Sequence, residues 1–560
     1  MCGIWLIFGT DQCVSKQTKS CLKIQHRGPD CFRIESVPQL RGCAFGFHRL
    51  TLLDSLRGMQ PMRLHDMPHL WLCYNGEIYN HKQVQKEFDF NYETRLDGEC
   101  VLHLYEQGGI EFACQHLDGV FGLSILDMSK RLLHIARDTF GVRPLFKMLT
   151  RDGTLAVCSE AKGLTDIVHN QIQFNVEWVE PGTYETYSIR DDGKVDLVCK
   201  NRFHSIGDPP LYETLAPQYE DDVSANIRSV LKAAVRKRLM AERRIGCLLS
   251  GGLDSSLIAA LVVQTAREEG FTYPIQTFSV GMPGSTDLAA AKKVAEYIGS
   301  DHHEVLFSPE EGFSILDELI YHLETYDITT VRASVGMYIL SKYISEKTEN
   351  IVVFSGEGAD EVAQGYIYFH KAPDAKAADE EGRRLLRDLF YFDVLRADRS
   401  TAAHGLECRV PFLDHQFTAY YLSLPAGDRQ PQHGIEKYLL RKAFSGTGLL
   451  PDEILWRPKE DFADGVSSVK KGWFEILQEL VETKVTNEHL WQAPQLYAHN
   501  TPETKEAFHH RQIFEWYFMG HSSRIPYFWM PKWTNVNDPS ARILEHYKHD
   551  QHMVVWVENL

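Results

Sequence analysis

Short apolar or alternating runs crowd the first 200 or so positions: CAFGFHRLTLLD (43–54), LWLCYNGEIYN (70–80), GVFGLSILD (119–127), RLLHIARD (131–138) and TLAVCSE (154–160). Turn-forming residues punctuate them, a pattern that predicts antiparallel strands and hairpins. DGECVLHLYEQGG (97–109) interrupts with Val101, Leu102 and Tyr105 at helical spacing. The texture changes near residue 203. Residues 204–222 hold three prolines, a glycine and acidic side chains without period, and read as a linker. Strands and helices then alternate. IGCLL (245–249) precedes a Gly/Ser turn and an apolar helix, PIQTFSV (274–280) precedes another helix and HEVLF (303–307), and IVVFS (351–355) precedes a second Gly-rich turn. Such alternation predicts a doubly wound parallel sheet, with ligands at the carboxyl ends of its strands. The expected order is therefore a β-rich domain over 2–203, an α/β domain over 223–540, and a loosely packed, His-rich tail over 541–560.

Bulk properties narrow the function. A chain of 560 residues exceeds what one core supports. Its formal charge of -17 argues against a general nucleic-acid binder, which needs a basic surface to displace phosphate counterions. No apolar run reaches the ~18 residues of a membrane span, and the start lacks the layout of a secretory signal. The twelve cysteines form no CxxC pair. Several, such as Cys73 and Cys247, lie in strand-like runs, which suggests reduced thiols in the cytosol.

Candidate chemistry starts at Cys2. Removal of Met1 would place a thiol and a free amine on one residue, and an amine of reference pKa ~7.7–8.0 can take the proton of a thiol near ~8.5. Acyl transfer from an amide also needs an oxyanion hole and clamps for the charged ends of its substrate. The Asn75 amide and Gly76 N–H could form the hole, Arg49 could hold a carboxylate, and Asp97 an ammonium. Each has a plainer reading: Asn75-Gly76 as a hairpin turn, Arg49 as a surface charge, Asp97 as a helix cap.

A second group lies in the α/β half. Ser250-Gly251-Gly252-Leu253-Asp254-Ser255-Ser256 follows a strand and opens a helix, where close backbone approach and free N–H groups suit phosphate. Asp254 there suits Mg²⁺. Ser355-Gly356-Glu357-Gly358-Ala359-Asp360-Glu361 follows another strand, with Glu357 and Asp360 expected to share one face of a first helical turn. Arg332 and Lys459 are candidate counter-charges.

Cys2, Arg49, NGEIYN (75–80), Asp97, RDTFGVRPL (137–145) and SEAKG (159–163) together resemble the class II glutamine amidotransferase domain of the N-terminal-nucleophile type. TFSVGM (277–282), TYDITTVRAS (325–334), SGEGADE (355–361), LRADRSTAAHGLECRVPFLD (395–414) and WRPKEDFADG (456–465) resemble the asparagine synthetase family in its animal form. The resemblance covers roughly residues 2–540. It implies an αββα sandwich followed by an ATP-pyrophosphatase domain, and synthesis of asparagine from aspartate, glutamine and ATP through β-aspartyl-AMP, with Mg²⁺ accompanying ATP. Catalytic roles would fall to Cys2, Asn75, Gly76, Glu357 and Lys459. Glutamine would be held by Arg49, Leu50, Leu53, Asn75, Gly76, Glu77 and Asp97. ATP would meet Leu248, Leu249, Ser250, Gly251, Gly252, Asp254, Ser255, Val280, Ser355 and Gly356. The intermediate would meet Arg332 and Asp360, and the metal Asp254 and Asp360. No nucleic-acid or membrane partner is implied, and a homodimer is the assembly left open. One departure is Lys442 in YLLRKAF, where the family usually has an acidic residue. Two rivals share the modules: a cyclising synthetase with a dead glutaminase half, against which intact Cys2, Arg49, Asn75 and Asp97 speak, and a silent sensor or scaffold.

Overall fold

A computed structural model describes residues 1–167, 175–212, 221–460, 462–468 and 471–544. It divides into two compact units: Met1–Thr214 with Met240–Arg243 and Ala402–Glu407, and the remainder, Leu215–Leu239, Arg244–Thr401 and from Cys408 onward.

The first unit has two antiparallel sheets. One has the order β2 (Cys31–Ser36), β3 (Ala44–Arg49), β1 (Gly3–Phe8), β8 (Leu155–Cys158), β7 (Phe146–Leu149), β9 (Val176–Trp178). The other runs β11 (Val195–Arg202), β10 (Thr183–Ile189), β6 (Leu132–Arg137), β5 (Gly119–Asp127), β4 (Leu70–Ile78). The two-residue period of a strand sorts its side chains into layers. Ile4, Leu6 and Phe8 of β1 share a core with Phe45 and Phe47 of β3, Trp71 and Cys73 of β4, and Leu133 and Ile135 of β6. Trp5 and Ile7 turn the other way, onto Cys21 of helix α1 (Val14–Leu22). On the far sheet Leu70, Leu72 and Tyr74 meet Val101, Leu104 and Tyr105 of α2 (Glu99–His116). The layers are thus helix, sheet, sheet, helix, as expected. Each fully buried Leu, Ile or Phe contributes roughly 1.5–3 kcal/mol. Helix α2 outruns the 97–109 segment but kinks at Gly109, whose φ is 80°.

The second unit is built on a sheet of order β14 (Asp301–Leu306), β13 (Gln276–Gly281), β12 (Arg244–Leu248), β15 (Asn350–Phe354), β16 (Glu407–Arg409). β12 runs parallel to β13 and β15, and β13 parallel to β14. Flanking helices include α3 (Val223–Lys237), capped by Asp222, α4 (Leu253–Glu268), and α5 (Thr286–Ile298), capped by Ser285. The chain steps outward from β12 to β13 and β14, then returns to the other side of β12 as β15. That reversal makes a topological switch point between the carboxyl ends of β12 and β15. Both glycine-rich loops start there.

One boundary differs from expectation. Ala541–Ile543 forms a 3₁₀ turn with Ala541 buried, so packing continues past residue 540 instead of loosening at 541. The cause is Arg542, whose guanidinium is anchored on backbone carbonyls. Residues 213–220 of the expected linker and 545–560 of the tail lie outside the described residues. Among the described residues no helix is long and apolar enough to cross a membrane.

Candidate active sites

Cys2 immediately precedes β1, and pairing of Gly3 with His48 of β3 fixes where it lies. Its Sγ accepts the Leu50 N–H at 3.4 Å and lies 3.6 Å from the Leu50 carbonyl. Burial pushes this thiol up to about 11, against the Met1 ammonium and the Leu50 contact. Met1 is itself buried, its ammonium is 3.5 Å from the Leu406 carbonyl, and burial brings that group down to about 6.

Asn75 and Gly76 do not form a hairpin turn. They lie inside β4, opposite Gly122 and Phe121 of β5. Gly76 has φ of 153°, and a Cβ there would come within 1.9 Å of the Val120 carbonyl oxygen, so the position accepts only glycine. The Asn75 side chain is fully buried, and neither its oxygen nor its nitrogen has a hydrogen-bond partner. An orphaned buried amide costs ~1–3 kcal/mol, which a group held ready for a substrate atom explains.

Arg49 is buried rather than a surface charge, and it donates to the carbonyls of Leu53 (3.2 Å), Asp54 (2.6 Å) and Ser55 (3.2 Å). Asp97 caps no helix, since Gly98 occupies that position without a side-chain cap bond. It accepts from the Tyr74 hydroxyl at 2.8 Å and the Ile78 N–H at 2.6 Å, and burial raises its pKa. Cys2, Arg49, Leu50, Leu53, Gly76, Glu77 and Asp97 line one recess. Asn75, next to Gly76 in β4, is not among its walls. Five residues outside the expected set also line the recess: Leu52, Gly58, Leu96, Tyr74, which holds Asp97, and Gln60, which accepts the Tyr74 N–H at 2.6 Å. RDTFGVRPL does structural work: Asp138 accepts from the N–H groups of Phe121, Phe140, Val142 and Arg143. Arg137 donates to the carbonyls of Arg143, Val179 and Gly141.

In the second unit α4 starts at Gly252 with no side-chain cap, leaving its first N–H groups to a ligand. Ser250 and Ser255 hydroxyls lie 3.0 Å apart and brace the loop. Gly356 lies against it, where a Cβ would come 2.7 Å from the Ser255 nitrogen. One cavity of about 1540 Å³, counting its open mouth, is lined by Leu248, Leu249, Ser250, Gly252, Asp254, Ser255, Val280, Ser355 and Gly356 of the expected nucleotide set. Gly251 is not among its walls; it turns towards Ala290 and Ala291 of α5.

The same cavity gathers Glu357, Asp360, Arg332 and Lys459. Glu357 and Asp360 do not share a helical face as expected. The helix α6 (Ala359–Val362) starts after Gly358, whose left-handed φ of 91° separates the two carboxylates. Lys459 donates to Asp360 at 2.7 Å. Burial favours the neutral form of Asp360, but Lys437 and Lys459 outweigh it and hold the carboxyl well below the usual range. Glu357 goes the other way. Burial, with Asp393 and Asp360, pushes it up to about 7 although Arg396 donates to it at 2.8 Å. Arg332 directs four hydrogen bonds to the carboxylates of Glu506 and Asp538, so little of its guanidinium is left to face a ligand. Lys442 is exposed on the short helix Tyr438–Phe444, away from any of these roles.

A divalent cation fits Asp254 and Asp360. Lys437, itself buried, bridges the two carboxylates with its ammonium, showing that the gap between them favours positive charge, and Asp254 Oδ1 is buried without a hydrogen bond. No group of three or more His, Cys, Asp or Glu side chains suited to a metal occurs among the described residues. Protein ligands would therefore be few, as Mg²⁺ bound with a phosphate substrate tolerates.

The glutamine amidotransferase domain profile matches residues 1–192, and the asparagine synthase profile matches residues 226–390 and 372–537. Asparagine synthetase [glutamine-hydrolyzing] of Gallus gallus is 57% identical over 556 residues, covering 98% of this chain and 99% of that protein. The Bos taurus and Homo sapiens proteins of the same name are 56% identical with the same coverage. The chain belongs to the glutamine-hydrolysing asparagine synthetases.

For an asparagine synthetase, four residues absent from the expected set matter. Lys437 joins the two candidate metal carboxylates. Arg396 donates to both Glu357 (2.8 Å) and Asp393 (2.6 Å). The Tyr366 hydroxyl lies 2.6 Å from a Glu361 carboxyl oxygen and 3.1 Å from one of Asp393. Arg396 and Asp393 sit in or beside the LRADRST segment, a signal the sequence carried; Lys437 and Tyr366 stand in no pattern that marks them.

Proposed function

We propose that this asparagine synthetase makes ammonia from glutamine at Cys2 and spends it, with ATP, on aspartate in the β12–β15 cavity. What supports the reading above all is that Glu357, Asp360, Lys459 and the Ser250–Ser255 loop share one cavity at the switch point.

With Met1 removed, the Cys2 amine takes the thiol proton and Sγ attacks the glutamine amide carbon. The Asn75 amide and Gly76 N–H hold the oxyanion, and Arg49 and Asp97 hold the α-carboxylate and α-ammonium. Ammonia leaves, and water hydrolyses the glutamyl thioester to glutamate. In the second unit the N–H groups at the start of α4 and the Ser250 and Ser255 hydroxyls take the phosphates. The aspartate β-carboxylate attacks the α-phosphorus, the bond to pyrophosphate breaks, and β-aspartyl-AMP forms. Asp254 and Asp360 would hold the Mg²⁺ that accompanies ATP, which supplies charge neutralisation for the departing pyrophosphate. Ammonia then attacks the activated carbonyl and AMP leaves. A carboxylate poised near neutrality suits Glu357 to take the proton. Lys459 and the remaining Arg332 donor stabilise charge on the intermediate. All twelve cysteines are free, which supports a cytosolic placement; a homodimer is the assembly to test by sedimentation.

The experiment supplies aspartate, ATP and glutamine labelled at the amide nitrogen. Label in asparagine, with AMP, pyrophosphate and glutamate in equal amounts, is expected. Glutamate and free labelled ammonia with no asparagine would overturn the reading.

A further inference from the structure

The segment that carries Lys459 has little regular structure of its own: from Arg457 to Ser468 its described part holds one helix, Phe462–Gly465. It is tied down from two sides. Towards α5, Arg457 donates to Asp287 at 3.1 Å, the Thr286 hydroxyl to Glu460 at 2.7 Å, and the Ser285 hydroxyl to the Gly465 carbonyl at 2.6 Å. The opposite ties come from 538–543. The Ser540 hydroxyl lies 3.1 and 3.2 Å from the two Asp464 carboxylate oxygens. Arg542 donates through Nη2 to the Asp464 carbonyl at 2.7 Å and to Glu460 at 3.4 Å, and through Nη1 to the Ser468 carbonyl at 3.0 Å.

That segment is fastened in turn. Asp538 accepts two N–H groups of Arg332 at 2.8 Å each and the Gln478 amide at 3.0 Å. Pro539, Ser540 and Ala541 line the same cavity as Glu357 and Lys459. A guanidinium is a rigid planar fork, so one Arg542 side chain fixes the spacing of three points along the Lys459 segment. Without it, the entropy of ordering those residues falls on ligand binding instead of on folding.

We propose that Arg542 is a positioning residue for the ATP-dependent half-reaction: the strap Asp538–Ile543, held by Arg332 through Asp538, sets the segment that presents Lys459. This rests on the β12–β15 cavity being the adenylating site. Arg332 on this view acts mainly as the anchor of the strap.

The test uses the full chain as wild type, Arg542→Ala, Lys459→Ala and the double variant. Ammonium-dependent synthesis and the ATP dissociation constant are measured, with glutamine hydrolysis as control. Arg542→Ala is expected to lower synthesis and ATP affinity at least tenfold while glutamine hydrolysis stays within twofold of wild type. In the Lys459→Ala background the same change is expected to alter ATP affinity less than twofold, because its effect passes through Lys459. Equal losses in both backgrounds, unchanged synthesis in Arg542→Ala, or a parallel fall in glutamine hydrolysis would each overturn the proposal. Should Arg542→Ala fail to fold, Ser540→Ala enters the same cycle under the same criteria. A wild type that makes no asparagine from ammonium, aspartate and ATP would sink the functional reading and the strap with it. An active wild type matched by Arg542→Ala sinks the strap alone.

Discussion

Asn75 and Glu357 carry the same cost in different forms: each is a polar group buried where the fold alone gives it too little. The Asn75 amide has no partner at all. Replacing it by alanine removes an unsatisfied group together with the proposed oxyanion donor, so activity and stability should part. Asn75→Ala is expected to lower glutaminase kcat by about 10²–10³-fold, with a Tm no lower than wild type; a clear fall in Tm would mean that the amide was structural. Glu357 is held up to about 7 by burial and neighbouring carboxylates, above its ordinary value of 4.5. Between those two values the folded state keeps a proton that the unfolded state has lost, so its share of stability declines as pH rises through that window and is level above it. Glu357→Gln cannot ionise and escapes the decline. Its Tm relative to wild type should therefore increase from pH 5 to pH 8, and a difference that is flat or falls over that range would contradict the buried-proton account. Of these two environments the sequence showed the residue types and their order. It could not show burial, and so could not tell an oxyanion donor from a hairpin asparagine.

At the scale of elements, period and punctuation carried most of the fold. The two-residue alternation of β1 and β4 sorts their side chains into the right layers, and the alternation of strand and helix after 223 foretold the parallel sheet. The misplacements have local causes. Glu357 and Asp360 were put on one helical turn because the spacing allowed it, and the left-handed Gly358 broke that turn. Lys437 was invisible because its importance comes from long-range folding that brings it to Asp254 and Asp360, 183 residues away in the first case. Gly356 tests how closely the two loops must approach. Its Cβ would meet Ser255 N at 2.7 Å and Asp254 Cβ at 2.9 Å, both in the first turn of α4. Gly356→Ala is expected to weaken ATP binding at least tenfold in titration calorimetry while glutamine hydrolysis is kept. Unchanged affinity would show that the loops can separate without harm to the site.

At the scale of the whole molecule, two units with their own sheets and cores carry two chemistries. Cys2, Asn75 and Asp97 belong to the first unit; Asp254, Glu357 and Lys459 belong to the second. Their losses should therefore be separable in both directions. Cys2→Ala removes the proposed nucleophile and should abolish glutamine-dependent synthesis while synthesis from added ammonium continues. Asp254→Ala removes a carboxylate that lines the β12–β15 cavity and should end asparagine formation from either nitrogen source, with glutamate still released from glutamine. Both variants belong in one assay of glutamate, asparagine and pyrophosphate. Asp254 also bonds Lys437, so its loss leaves a buried ammonium to Asp360 alone, and some fall in the stability of the second unit is expected as well. That fall does not imitate the predicted pattern, because an unfolded second unit would still leave Cys2 its own core. If glutamate release in Asp254→Ala dropped as far as asparagine formation, the two sites would be working as one, and the division by unit would have to be given up.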